Sequence, residues 1–172
     1  MLKPEARKLL LTAHIASSVG WLGAVVTFLA LALAALTSED GDTVSAVYLA
    51  MESVGWFVLV PLSFASLLTG LVHSLGSAWG LFRHYWIVFK LLINVASTIV
   101  LLLYMETLDH FARLAAIAST SPEVPDALRS PSPLIHSALA LLLLLVATVL
   151  AVYKPRGLTP WGQRRLAQQR GR

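Results

Sequence analysis

The chain contains no cysteine. That excludes disulfides, thiolate metal sites and covalent attachment of a c-type haem. Charge is scarce as well: 13% of the 172 residues are Asp, Glu, Lys or Arg, against roughly 25% in a soluble domain. So little charge cannot clothe a globule of this size in water. Met1, Met51 and Met105 are the only methionines, so soft ligands for Cu(I) are few. No nucleophile paired with a base, no phosphate-binding glycine loop and no pair of carboxylates stands out. Enzymatic activity is therefore left without a candidate residue.

What is present is apolar. Hydrophobic residues make up 57% of the chain and the mean hydropathy is +0.74. Four long runs carry them, at about 9–36, 46–76, 85–107 and 134–153. Each reaches the roughly 20 residues that cross a bilayer. None alternates strictly as a barrel strand would, and backbone in hydrocarbon must satisfy itself, so the runs are expected to be helices. Lys3, Arg7 and Lys8 precede the first run in the manner of a signal peptide. Its 28 residues, LLLTAHIASSVGWLGAVVTFLALALAAL, exceed a signal core of about 7–15, and the run reads as a retained span. The expectation is an all-α integral membrane protein, one membrane domain over residues 1–172 with a basic tail at 154–172. The Ala-, Leu- and Arg-rich composition points to a bacterial plasma (inner) membrane.

Charge orients the spans. The segment TSEDGDT after the first run holds Glu39, Asp40 and Asp42 and no basic residue; Asp109, Glu123 and Asp126 follow the third against Arg113 and Arg129. Arg83 lies between the second and third runs, and the tail carries Lys154, Arg156, Arg164, Arg165, Arg170 and Arg172. With basic segments inside, both termini are cytoplasmic and the acidic connections lie outside. The net charge of +4 is then a juxtamembrane feature facing anionic headgroups, and nucleic-acid binding is excluded. Trp79, Phe82, Tyr85 and Trp86 mark the cytoplasmic end of the second and third spans, and Tyr153 that of the fourth. The segment TLDHFARLAAIA is expected to extend the third helix along the outer surface. Short connections favour an up-down four-helix transmembrane bundle. Ala16, Gly20 and Ala24 on span one, and Ser66, Gly70 and Ser74 on span two, offer small residues for close packing. Pro61 deprives the Phe57 carbonyl of its usual partner and should bend span two.

Several polar residues fall at one depth. His14 lies about one turn inside span one, and Trp21 follows at roughly 20° on the same face. His73 lies near the matching end of span two, with Ser66, Thr69 and Gly70 on its face. Lys90 lies about one turn into span three, heading a stripe of Asn94, Ser97 and Tyr104. Ionisable groups inside a span cost about 2.5–3.5 kcal/mol each on insertion scales and usually face the bundle interior. Each also has a plainer reading: His14 as a hydrogen-bonding helix contact, His73 at headgroup level, Lys90 snorkelling to the surface. His84 reads as interfacial, and His110 and His136 as a possible second site on the outer side.

His14, Trp21 and Gly23, with ASLLTGLVHSLGSAWGLFRHYWIVFKLL, resemble a bacterial family of predicted four-span integral membrane proteins of unassigned function, over Leu9 to about Tyr104. The first-span pattern alone is more distantly similar to the copper-resistance D membrane domain and to the HemJ type of protoporphyrinogen oxidase. The oxidase resemblance implies b-type haem held by membrane histidines and an intramembrane lysine, for which Lys90 stands by position. After Gly23 the chain departs from the oxidase, running AVVTFLALALAAL without the polar and basic residues found there.

Three functions follow as expectations. One is haem b bound between helices for a redox role: His14 and His73 as axial metal ligands, Lys90 near a propionate, Trp21 against the macrocycle, Asn94 in the same polar layer, and a quinone or membrane protein as redox partner. A second is a cofactor-free membrane scaffold or partner-binding protein, possible as a homo-oligomer. Copper handling or protoporphyrinogen oxidation ranks behind both. A transporter would be unusually small, with no inverted repeat in view.

Overall fold

The computed structural model describes residues 3–76, 80–118 and 125–170. Trp79 and Glu123, read above as an interfacial aromatic and an outer carboxylate, lie outside the described residues. Among the described residues six α-helices follow in order: α1 (Pro4–Thr37), α2 (Gly41–Val54), α3 (Val60–Gly76), α4 (Tyr85–Ala118), α5 (Ser132–Tyr153) and α6 (Pro160–Arg170). A π-helical turn, Gly55–Leu59, joins α2 to α3, and a 3-10 turn, Asp126–Arg129, precedes α5. Among the described residues, four stretches are long and apolar enough to cross a membrane: Pro4–Thr37, Gly41–Gly76, Tyr85–Ala118 and Asp126–Tyr153. The chain is a multi-pass membrane protein. Its outward residues agree, since Phe57, Leu68, Leu103, Val149 and Val152 are all exposed, a display that water would not tolerate over so large an area.

The helices begin and end where local chemistry stops them. Pro4 opens α1, where its missing N–H costs nothing. Asp40 caps α2 by accepting the Thr43 backbone N–H at 3.1 Å. The same contacts with Thr43 hold the Asp40 carboxyl below its ordinary range. The helix that carries the second run thus begins at Gly41, and only Ser38–Asp40 connects it to α1. At 34 residues each, α1 and α4 are about 51 Å long at 1.5 Å per residue. They overreach a hydrocarbon core of about 30 Å.

Pro61 acts one turn upstream of its position. Its ring has no N–H to offer, and the backbone widens so that Val60 N–H reaches the Gly55 carbonyl five residues back. Gly55 is required there by contact: a Cβ would come within 2.9 Å of Met105 Sδ and 3.1 Å of Leu108 Cδ2 on α4.

The four spans close a ring. α1 packs on α2, α3 and α5, while α4 packs on α2, α3 and α5. The contacts between α1 and α3 run in opposite order along the two helices: His14 meets Gly70, Ser18 meets Ser66 and Gly20 meets Leu62. The buried stripe of α1 is Ser17, Trp21, Val25, Phe28, Ala32 and Ala35, steps of three and four that put one face inward. Ala16, expected in the interface, is exposed. The bulky Trp21, Val25 and Phe28 set the helix's rotation and turn Ala16 outward.

The densest core lies at the α2 end, where Val44, Tyr48, Met51, Met105, Leu108, Ala115 and Leu128 are each at most 1% exposed. Tyr48 packs its ring 5.4 Å from Phe111 and donates its hydroxyl to the Leu128 carbonyl at 2.8 Å. Trp56 Nε1–H donates to Asp109 at 2.9 Å. Thr107–Ala118 extends the third helix as expected, but packed inward and not along the surface. It continues α4 unbroken, and its stripe of Leu108, Phe111 and Ala115 is buried beside α2.

Candidate functional site

The polar residues of the other end meet around Ser66. Its hydroxyl lies 2.9 Å from the Ser18 hydroxyl on α1 and accepts from Asn94 Nδ2–H on α4 at 3.3 Å. One side chain of α3 therefore ties three helices together. His14 reaches the same turn from α1. Its Nδ1 lies 3.2 Å from the Ser66 carbonyl and 3.2 Å from the Thr69 hydroxyl. A carbonyl only accepts, so Nδ1 carries the proton. Ser17 returns its hydroxyl to the His14 carbonyl at 3.1 Å.

The imidazole rests on bare backbone. A Cβ on Gly70 would stand 2.8 Å from His14 Cε1 and 3.2 Å from Nδ1, so glycine is what admits the ring. On α1 itself, a Cβ at Gly20 would stand 3.5 Å from Leu62. Small residues at these points let the two backbones approach, as helix association in lipid requires.

Of the residues expected to form a site, His14 and Asn94 are joined through Ser66. His73 and Lys90 lie close enough to His14 to interact with it electrostatically, and Lys90 likewise with His73. Trp21 stands apart from them in role: it is 2% exposed within the apolar core of Val25, Phe28 and Leu59. Gly23 faces open space. Tyr104 leaves the Lys90 stripe to serve α5, with its hydroxyl 3.4 Å from Ser132 and its ring stacked 4.2 Å from His136. His136 Nδ1–H also donates to the Ser132 carbonyl at 2.9 Å. His110 sits on an exposed face of α4, and the described residues form no group of three or more potential metal ligands.

The layer is incompletely satisfied on α3 and α4. His73 Nδ1, Asn94 Oδ1 and Ser97 Oγ are buried without a hydrogen-bond partner among the described residues. Turning the Asn94 amide over would exchange its ends and still leave one of them bare. Lys90 forms no ion pair among the described residues, and the sequence holds no Asp or Glu between Glu52 and Glu106.

These contacts bear on haem. Axial ligation by both His14 and His73 needs a macrocycle standing between α1 and α3 at this depth. The two helices are instead in direct contact there, with Ser18 on Ser66 and the His14 ring on Gly70. The residues present do not fit a haem held by that pair.

A feature with no warning in the hydropathy pattern is the fold-back of the tail. Lys154 takes a left-handed conformation, φ 45°, at the end of α5, and the chain then turns onto the connection between α3 and α4. Thr159 N–H donates to the Arg83 carbonyl at 3.1 Å, and its hydroxyl donates to the Phe82 carbonyl at 2.5 Å. The same hydroxyl accepts Gly162 N–H at 3.1 Å, capping α6. Tyr85 N–H donates to the Gly157 carbonyl at 3.4 Å. The Thr-Pro pair of LTPWGQ was the available signal, a cap residue followed by proline at the first helical position. Burial, and then the neighbouring Arg83 charge, push the His84 imidazole below its ordinary value, with the Gly157 backbone contact opposing.

Compared with protein-family models, with curated proteins and with solved structures, the chain matches none.

Proposed function

We propose that this chain is an up-down four-span protein of the bacterial inner membrane, both termini in the cytoplasm, that works as a cofactor-free partner-binding protein. Lys90 is the receiving group. The observation that carries the reading is a cation inside a span with no acidic residue to pair with it, beside His73, Asn94 and Ser97 with bare buried polar atoms. A membrane charge without a partner is expensive, and the chemistry that relieves it is a carboxylate carried by a partner's membrane helix. Glu52 and Glu106, the nearest acids of this sequence, lie toward the opposite end of their spans. A second copy in the same orientation therefore does not supply the acid at the right depth. His14, Ser17, Ser18, Ser66 and Thr69 then serve as the fixed wall that holds α1 and α3 together behind the receiving face.

The orientation rests on Lys3, Arg7, Lys8, Arg83 and the basic tail falling on one side. Reporter fusions after Asp40 should read outside, and fusions after Arg83 and Arg172 inside; a single reversal defeats it. For the partner, a photo-crosslinking amino acid at Ile93, half-buried on α4 and about 60° around the helix from Lys90, should give a discrete adduct in native membranes. That adduct should vanish in Lys90→Met and survive in Lys90→Arg. An adduct indifferent to Lys90→Met, or none at all, overturns the reading.

A further inference from the structure

The last helix, α6, is fixed where two spans end. Thr159 donates its backbone N–H to the Arg83 carbonyl and its hydroxyl to the Phe82 carbonyl, and both acceptors lie just before α4 begins at Tyr85. Gly162 completes the seat, since a Cβ there would meet the Arg83 carbonyl at 2.4 Å. The first turn of α6 is therefore pressed against the connection between α3 and α4. That connection and the end of α5 at Tyr153 both border spans, so α6 starts at the edge of the bilayer.

The faces of α6 differ. Gly162 is buried against the bundle, whereas Trp161, Arg165 and Gln168 are exposed. At 100° per residue those three fall within about 60° of one another, and Gln163 and Ala167 lie roughly opposite them. The Arg165 guanidinium stands 5.0 Å from the centre of the Trp161 ring, a cation–π pair that holds both side chains on one face. Such a pair suits a boundary, because the indole takes the less polar level while the cation reaches back toward phosphate or water. Phe82, Tyr85 and Tyr153 are exposed at this end as well. With Trp161 they form a band of rings of the kind that membrane proteins carry at headgroup depth.

Charge identifies what covers this face. Arg164 and Arg165 are exposed on α6, and the sequence holds no Asp or Glu after Asp126, so the surface is basic throughout. We infer that α6 is an interfacial helix whose Trp161 face lies on anionic phospholipid headgroups, with Trp161 between them and Arg164 and Arg165 at their phosphates. One ring and two charges would bind a free peptide weakly. Here the Thr159 anchor already holds the helix beside the membrane, and the high effective concentration lets those few contacts suffice. A diffuse basic segment would need neither the anchor nor the ring.

The chain has no cysteine, so one introduced cysteine carries a nitroxide to one chosen position of the full-length protein in nanodiscs. In phosphatidylcholine with phosphatidylglycerol, the label on Gln168→Cys should collide with oxygen in preference to a water-soluble nickel chelate. Labels on Gln163→Cys and Ala167→Cys should show the reverse preference. Omitting phosphatidylglycerol should lower the ratio of the membrane-laid to the detached spectral component at position 168 about thirtyfold, about fivefold for each of two charges. The pair Arg164→Gln and Arg165→Gln should do the same. The pair Lys3→Gln and Lys8→Gln removes equal charge from exposed positions near the start of α1 and should change the ratio less than about threefold. Trp161→Ala should lower it too, an effect that attraction by charge alone does not produce. The comparison of the two lipid mixtures needs no further substitution, so it decides even if a variant misfolds. Equal collision rates at positions 163 and 168, or a ratio indifferent to phosphatidylglycerol, would overturn the inference. A label at 168 shielded from both reagents would overturn it as well and make that face a contact with protein.

Discussion

Placing the His14 ring on Gly70 makes the sign of one substitution depend on another. A Cβ at position 70 would stand 2.8 Å from Cε1 and 3.2 Å from Nδ1 of His14, too close for either atom. The ring cannot slide freely, because Nδ1 is engaged with the Ser66 carbonyl and the Thr69 hydroxyl, each at 3.2 Å. Overpacking of this kind costs about 1–3 kcal/mol. The displaced hydrogen bond adds roughly 0.6 kcal/mol, the average between membrane helices. Against this, alanine is favoured over glycine in a helix by about 0.8–1.0 kcal/mol. Gly70→Ala should therefore destabilise the parent by about 1–2 kcal/mol. In a His14→Ala background the clash has no partner, and the same substitution should stabilise by about 0.5–1 kcal/mol. The measurement is a double-mutant cycle by SDS titration in mixed micelles, followed by far-UV circular dichroism and tryptophan fluorescence. A change of sign gives a coupling of about 2 kcal/mol. Equal effects of Gly70→Ala in the two backgrounds, within about 0.5 kcal/mol, would refute the packing of His14 on Gly70.

Three further outcomes follow from the same contacts. Tyr48→Phe removes only the hydroxyl that meets the Leu128 carbonyl and leaves that carbonyl buried and bare, a loss of about 1–2 kcal/mol; hydrogen exchange should speed up at residues 126–129 while the rest of α4 stays protected. Protein expressed with ample haem and purified in mild detergent should show no Soret band, and a band lost in both His14→Ala and His73→Ala would refute the contact between α1 and α3 at that depth. Burial, and then Arg83, hold His84 below its ordinary value near 6.5, so its contribution to the folded state is full above that value and is lost as pH falls through the lower, folded-state value; on acidification the thermal midpoint should fall further in the parent than in His84→Asn.

The sequence revealed span number and helical character because hydropathy reports length directly. Rotation was less legible, for a reason particular to lipid. Leu9, Val19, Val26 and Leu33 are exposed on α1 and are as apolar as the buried Val25 and Phe28, so apolar periodicity cannot tell the inward face from the outward one. The polar residues could: His14, Ser17 and Ser66 all face inward, and the shared depth of His14, His73 and Lys90 was readable from span lengths alone. What depth could not supply was contact. The two histidines were expected to oppose one another across a macrocycle, but His14 turns to Ser66, Thr69 and Gly70 because glycine at position 70 opens the backbone to it. Ser18 was missed, although the Ser17-Ser18 pair inside an apolar run was its signal. The fold-back of the tail depends on Thr159 finding the Phe82 and Arg83 carbonyls 77 and 76 residues away in sequence, a tertiary fact with no local periodicity.

The two ends of the bundle differ in packing and in polar character. At the Tyr48 end the core is densest, with Tyr48 bonded to Leu128 and Trp56 to Asp109, although the Ser45 hydroxyl is buried there without a partner among the described residues. At the Lys90 end, Ser66 joins α1, α3 and α4, yet His73 Nδ1, Asn94 Oδ1 and Ser97 Oγ are left bare. A buried polar group without a partner lowers stability by about 1–3 kcal/mol, so a bundle selected for stability alone would carry apolar side chains at these positions. Cations accumulate at this same end while the sequence supplies no acid from residue 53 to 105 or after Asp126. The bare His73, Asn94 and Ser97 atoms beside Lys90 are what support the partner proposed for this end.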